Sequence, residues 1–481
     1  MRAMRPPPPA LRLAKPLATA YALGLLSSTS PRLARILVLF GRGKLTVRAA
    51  WLQSIYTLRE ALALHRFPTF CAVLIGGSTL LQIPIKAVLN TLIRLTSRPD
   101  HGLARVLARF LAALVSASAA FRLLNSAPVK YDALNANPPP VLNRFAPGPF
   151  DEPPEDPAEV TALSRPALAG RTMDLTLFTA VRALDVLVTS HPSLRNATRH
   201  LPVPLFCFSA ATIMWAWFYT PSRLPRSYTA WIAAAAELDP RLVLALRHAR
   251  YGSFVYGKDT GMAPLLGSLA ADNGLPEALG DPAKTIPIPC QLIHAGATKS
   301  CELHALRRFA RAWLVAARAY TPLYLLALAL RVYKSRGARL QTLTRSLPHA
   351  LQTAAHRSAT LALFTALFHY AVCLSRTRLG PRFFPATSPQ TWDAGRAVLA
   401  GCVACGLSVL VEAPARRGEL ALVVLPRAAG VWFPRRYEVG KKRWEEGVFV
   451  GAAAVVVTAA QEGRGRVRGV FGRVVRGVLD V

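Results

Sequence analysis

Acidic residues are scarce in this chain beside its basic ones. Its 481 residues hold 25 Asp and Glu against 59 Lys and Arg, a formal charge of +34. So basic a chain invites a nucleic-acid reading. Nucleic-acid binders gather their cations on one soluble face, whereas here they are spread between apolar runs, so no nucleic-acid partner is expected. Cysteine is sparse too. Seven thiols, an odd number without regular spacing, argue against a secreted disulfide framework and suit a reducing compartment. Catalytic signatures are missing from the sequence: no His is followed four residues later by Asp, and there is no HExxH, GxSxG or GxxxxGK[ST]. The Gly257–Lys258–Asp259–Thr260 loop lacks the preceding glycine and strand of a phosphate cradle. The expectation is a protein that is not an enzyme and needs no cofactor.

What the chain does have is apolar length. It is 52% hydrophobic with a mean hydropathy of +0.29, and a high Arg content fits if the cations flank membrane helices near anionic headgroups. Residues 67–85, 201–222 and 358–375 carry no charge, and the last holds His369. Each approaches the ~20 residues that cross ~30 Å of hydrocarbon. Shorter uncharged runs lie at 110–121, 397–411 and 447–461. Runs at 175–188 and 420–433 each carry an internal Arg, at Arg182 and Arg427, which must snorkel or be hidden inside the bundle.

These runs come twice in the same order. Aligned without a gap, 171–187 pairs with 416–432, matching Arg171 with Arg416, Asp174 with Glu419, Leu177 with Leu422, Arg182 with Arg427 and Ala183 with Ala428. In the same way 111–120 lies beside 399–408, and 206–215 beside 449–458. A duplicated helical series is a common way to build a membrane protein. The predicted fold class is all-α: a polytopic membrane protein of two related helical bundles from an internal repeat, with four elements in each copy.

The expected organisation is a basic segment 1–45, a first membrane repeat 46–222, a membrane-proximal helical segment 223–305, a second repeat 306–461 and a basic tail 462–481 suited to anionic lipid. Ten basic residues precede the first acid, Glu60. That start reads equally as a mitochondrial transit segment or as the basic flank of a first, marginally spanning helix over 18–40. The Pro-rich, acidic insert 126–170 has the composition of a disordered loop. Within 223–305, the stretch 227–252 has the periodicity of two short amphipathic helices on the membrane face. Basic loops follow the first element of each copy (Lys86, Arg94, Arg98 and Arg105; Arg376, Arg378, Arg382 and Arg396), which asks for copies of parallel orientation. A further span at 312–330 would instead invert the second copy, and Arg318 in its middle favours a helix lying at the interface.

Two constellations are candidate sites. Cys290, His294, Cys301 and His304 place four borderline or soft donors within fifteen residues, a donor set suited to tetrahedral zinc. A Cys290–Cys301 disulfide in an oxidising lumen and a plain tight turn remain open beside it. Asp174, Arg182, Glu412, Arg416, Glu419 and Arg427 are intramembrane polar residues, with Arg416 and Glu419 spaced to pair on one helix. They read either as helix-entry structure or as a polar path within the bundle. Small residues at Gly76–Gly77–Ser78, at Ala400–Gly401 through Gly406, and at Gly451–Ala454 permit close helix packing.

Two blocks carry a family likeness. From Cys290 the chain reads CQLIHAGATKSCELHALRRFARAWLVAARAYTPLYLLALALR, and from Ala400 AGCVACGLSVLVEAPARRGELALVVLPRA. Cys, His and Ser-Cys ahead of an amphipathic helix ending in Tyr-x-Pro-Leu-Tyr resemble the N-terminal domain of the transmembrane protein 135 family. The small-residue span leading to Glu-x3-Arg-Arg-x-Glu-Leu is similar to that family's next helices. The likeness covers 290–433 and is weaker over 67–222. Cys290, His294 and Cys301 match the family pattern and His304 does not. The family's N-terminal segment also lies here in mid-chain. The family is distantly related to the Tim17/22/23 group of mitochondrial inner-membrane translocases. The resemblance implies a multi-pass peroxisomal or mitochondrial membrane protein acting in organelle dynamics or lipid homeostasis. The lipid bilayer with its anionic lipids, a second copy of the chain and other organelle membrane proteins are its expected partners. The alternative is a transporter or pore with its path at the interface of the two repeats.

Overall fold

A computed structural model describes residues 9–95, 101–126, 168–334, 339–433, 437–463 and 466–479. The described chain is helical nearly throughout. Its main helices, in order, are α1 (Pro9–Gly41), α2 (Val47–Ala61), α3 (Gly77–Leu95), α4 (His101–Leu124), α5 (Met173–Ser190), α6 (Pro202–Tyr219), α7 (Arg226–Ala236) and α8 (Pro240–Tyr251). They continue with α9 (Ala263–Asp272), α10 (Cys290–Ile293), α11 (Cys301–Lys334), α12 (Arg339–Leu374), α13 (Ala397–Gly406), α14 (Pro414–Trp432), α15 (Lys442–Glu462) and α16 (Gly469–Leu479). Helix α3 extends a turn at Phe67–Cys71 through a π-helical stretch, Ala72–Gly76. Among the described residues the only strand pairing is two residues long, with Leu168 opposite Glu438 and Ala169 opposite Tyr437.

Among the described residues, seven helical stretches are long and apolar enough to cross a membrane by length and composition: Ala14–Gly41, Phe67–Leu92, Gly102–Leu124, Pro202–Tyr219, Cys301–Tyr333, Leu343–Phe383 and Pro389–Val411. The protein is thus a helical, multi-pass membrane protein by composition and fold. The run at 312–330, expected to lie at the interface, is part of the 34-residue α11. One Arg in the middle does not interrupt so long a helix. Helices form over 175–188, 420–433 and 447–461 as well, but charged residues within or beside them keep all three out of the seven. The expected disordered insert 126–170 lies almost wholly outside the described residues.

The chain divides into two compact units. The first comprises Met1–Lys130, Ala167–Arg199 and Arg435–Val481. Here α4 turns an alanine stripe inward, with Ala104, Ala108, Ala112, Ala113, Ala117 and Ala120 all buried. Helix α15 runs antiparallel to α4: Arg109 near the start of α4 pairs with Glu462 at the end of α15, while Arg122 pairs with Glu446 at its start. The same α15 runs parallel to α5, since Thr172 and Thr176 at the start of α5 donate to Glu445 at the start of α15. Phe70, Phe121 and Phe449 fill the core between them. The tail helix α16, expected to face lipid, buries Val475 and Val478 and packs with Ala183 and Val456.

The second unit comprises His200–Pro434. Helices α11 and α12 form a long hairpin, with Trp313 Nε1 donating to Ala355 O at 3.2 Å. Helix α6 runs antiparallel to α13, where Gly406 near the end of α13 meets Cys207 near the start of α6. It runs parallel to α14, because Arg223, just past α6, donates to Val431 O near the end of α14. Phe218, Phe368, Val398, Cys402 and Ala428 share the core.

The division departs from the expected boundaries 46–222 and 306–461. The helix expected to close the first bundle belongs to the second unit, and 442–462 belongs to the first. The physical reason is direction. The slot beside α5 is taken by α15, which runs parallel to it, whereas a helix packed back on its predecessor through a short link runs antiparallel.

The segment ahead of α11 carries a small core of its own. Asp239 caps α8 by accepting from Arg241 N at 2.8 Å, with Pro240 at the first helical position. Gly252, at φ 84°, ends that helix in the left-handed region where glycine is favoured. Leu265, Leu266, Leu269, Ile288 and Leu292 are buried together under Ala245 and Phe254. The two helices expected over 227–252 are α7 and α8. They are followed by α9 and by the turn that carries the candidate site.

Candidate metal centre

Three of the four Cys/His residues singled out in the sequence come together, and a different fourth joins them. Cys290 and His294 lie four apart on the short helix α10 and the turn that ends it. The chain then reverses through Ala295 and Gly296, both at positive φ, and reaches Ser300. Its hydroxyl accepts from Leu303 N and so caps α11. Cys301 is the first residue of α11. Cys373 comes from the far end of α12, because an antiparallel hairpin lays the start of one helix beside the end of the other. The donor atoms of Cys290, His294, Cys301 and Cys373 all lie within 4.8 Å of one another. His294 and Cys373 are buried, and Cys290 and Cys301 half-buried. All seven cysteines are free thiols, so the expected Cys290–Cys301 disulfide is not formed in this structure.

The orientation of His294 is fixed from behind. The side chain is 1% exposed. Its Nδ1 donates to Thr298 O at 2.9 Å, and its Nε2 lies 3.3 Å from Cys373 Sγ. A backbone carbonyl that holds one ring nitrogen protonated is the usual support for a histidine ligating through the other. The Cys290 thiol is pulled below its ordinary value, to about 6, first by a hydrogen bond from Cys373 and then by the charge of Arg376, against the upward push of burial.

His304, the fourth residue of the sequence-based set, is not among the converging donors. One helical turn into α11, it stacks flat on His294 with ring centroids 4.1 Å apart and an interplanar angle of 13°. His369 meets its edge at 5.6 Å. His304 therefore packs against the ligand-type ring instead of pointing its nitrogens at the thiols. The residue that replaces it, Cys373, lies in the uncharged run 358–375. Its signal in the sequence was indirect: two long apolar helices joined by a short link, which brings 301 to 373.

A buried ion pair sits next to the site. Arg376 donates to both carboxylate oxygens of Asp393, at 2.6 and 2.7 Å. The Tyr256 hydroxyl donates to Asp393 and accepts from Ile288 N at 3.2 Å. This ties the segment entering α10 to the end of α12. Burial is the main cause that raises the Tyr256 hydroxyl, with the Asp393 carboxylate next.

The polar residues expected inside the membrane elements are scattered and do not converge. Asp174 lies in the first turn of α5, where the helix dipole favours an acid. Arg182 is buried in the first unit, its guanidinium over the rings of Phe178 and Phe471 at 5.4 and 5.8 Å. Nearby Asp185 pairs with Arg468. Glu412 is buried in the second unit and pairs with Arg357 at 2.9 Å. Arg416 starts α14 half-buried, and its neighbour Arg417 donates to the carbonyls of Leu410 and Glu412. Glu419 and Arg427 follow on α14, both half-buried, and Arg427 lies close enough to Tyr228 to act on its hydroxyl. These placements fit helix ends and packed guanidinium groups.

Of the close-packing glycines, Gly76 meets Leu17, Gly401 meets Val372 and Phe368, and Gly406 meets Cys207, each nearer than a Cβ would tolerate. Gly451 has open space around it. Compared with known protein families, curated proteins and solved structures, the chain matches none.

Proposed function

We propose that the chain is a non-enzymatic integral membrane protein of the peroxisome or mitochondrion, acting in organelle dynamics or lipid homeostasis. The observation that carries the membrane part is the set of seven apolar helices. Leu26, Leu37, Val88, Val115 and Leu323 on these helices are each more than half exposed, as suits side chains that face lipid. The organelle rests on the likeness of 290–433 to the transmembrane protein 135 family and on the acid-free, Arg-rich start. Anionic lipid at the helix ends would balance the +34 charge. The test is co-localisation of the tagged full chain, and of a chain lacking 1–44, with peroxisomal and mitochondrial markers. Signal in either organelle is expected. Peroxisomal signal that survives the deletion would make the start a basic flank, and mitochondrial signal lost with it would make it a transit segment. Signal in neither organelle contradicts the proposal.

We further infer that the two units derive from an internal repeat, with the fourth helices exchanged between copies. Each unit has a long helix ahead of the series, α1 or α11. Each then has three consecutive members and a fourth that is antiparallel to the second and parallel to the third. The ungapped pairings of the sequence also preserve the inward face. Ala117 and Cys405, Phe121 and Val409, Ala183 and Ala428, Val186 and Val431, Ile213 and Val456, and Trp217 and Ala460 are buried in both partners. A register error of two residues would turn a helix about 200° and break this agreement.

A further inference from the structure

We propose that Cys290, His294, Cys301 and Cys373 bind one structural Zn²⁺ at the open end of the α11–α12 hairpin. The donor set is three thiols and one imidazole, drawn from a turn, a helix start and a helix end, and it offers no oxygen ligand. Soft sulfur with imidazole selects zinc over magnesium or calcium. The dimensions agree as well. Zinc at about 2.3 Å from sulfur and about 2.0 Å from nitrogen puts tetrahedral ligands roughly 3.5–3.8 Å apart. The observed atoms lie within 4.8 Å of one another, with His294 Nε2 already 3.3 Å from Cys373 Sγ. Sub-ångström closure around the ion completes the site.

Two further features point to a built site. His294 is buried and its Nδ1 is held by Thr298 O, so its Nε2 faces the thiols. The turn carrying Cys290 and His294 is anchored independently, through Tyr256 and the Arg376–Asp393 pair. Four protein donors leave no open coordination position, so the ion would fasten the membrane-proximal segment to the hairpin and would not activate water. Binding releases the protons of the three thiols to solvent and leaves a centre of net charge −1 within reach of Arg376. The set differs from the one read off the sequence in taking Cys373 and excluding His304. It stands whether or not the organelle assignment does.

The test uses the full-length chain purified in detergent under reducing conditions. Metal analysis should find one zinc per chain. Chelation followed by cobalt(II) should give the intense visible bands and near-ultraviolet thiolate charge transfer of a tetrahedral site with three sulfur ligands. Cys373→Ser should lower zinc affinity at least tenfold, and His304→Ala should keep stoichiometric zinc. The cobalt spectrum of the unmutated chain decides the matter if Cys373→Ser does not fold. Three results would overturn the proposal: a chain free of zinc that takes up no cobalt, zinc lost in His304→Ala but kept in Cys373→Ser, or a disulfide among Cys290, Cys301 and Cys373 in the freshly isolated protein.

Discussion

Glu445 and Arg376 are the two buried charges whose surroundings make the sharpest demands. Glu445 is held by the hydroxyls of Thr172, Thr176 and Tyr437, yet burial still raises its carboxyl above the ordinary range. The folded state therefore keeps this proton to higher pH than the unfolded chain does. Its stability falls as pH rises from the unfolded value of about 4.3 through the folded one. Glu445→Gln retains an acceptor for the hydroxyls and removes this slope. Thermal unfolding in detergent at pH 4.5 and 7.5 should show the variant gaining on the unmutated protein at the higher pH. Arg376 is more buried than its partner Asp393, with side-chain exposures of 5% and 10%. Asp393→Asn leaves the guanidinium uncompensated and should cost about 3–5 kcal/mol, whereas replacing both partners by apolar residues should cost much less. Denaturation midpoints of the single and double variants check this.

The residue scale also separates what the sequence carried from what it did not. Cys290, His294 and Cys301 were legible because a short turn brings near neighbours together whatever the rest of the fold does. Cys373 was not, since its place depends on the register of two long helices. Proximity in sequence favoured His304 instead, but its position one turn into α11 aims the ring at His294 and away from the thiols.

At the scale of elements, charge-free length was the reliable signal. The runs at 67–85 and 358–375 lie within helices that are long and apolar enough to span, and 201–222 contains one, Pro202–Tyr219. The runs with an internal Arg form helices too, because aromatic rings or the bundle interior accommodate the guanidinium. Small residues were a weaker guide. A Cβ on Gly401 would stand 2.7 Å from Val372 Cγ2, and one on Gly406 would stand 2.6 Å from the Cα of Cys207. Ala at either position should destabilise by about 1–3 kcal/mol through overpacking, with Gly406 the worse because backbone cannot step aside. Gly451→Ala meets nothing within 4 Å and should stabilise α15 by roughly 0.5–1 kcal/mol. In one detergent Gly451→Ala should melt highest, Gly401→Ala lower and Gly406→Ala lowest.

For the whole molecule, the order of the apolar runs was readable and their partnership was not. A sequence repeat suggests that each copy folds on itself, as the boundaries 46–222 and 306–461 assumed. Helix direction overrides that assumption, because the third helix of each unit has a parallel fourth neighbour and a short link cannot supply one. The account therefore stands or falls on which fourth helix lies against α4. Ser118 Oγ is 3.1 Å from Glu446 Oε1 on α15, and the proposed repeat would pair Glu446 with Val203 on α6. The direct measurement is oxidative cross-linking of two double variants, Ser118→Cys with Glu446→Cys and Ser118→Cys with Val203→Cys, with the joined peptides identified by mass spectrometry. Exchanged fourth helices predict a cross-link between 118 and 446 and none between 118 and 203, and the reverse result would contradict the architecture described here.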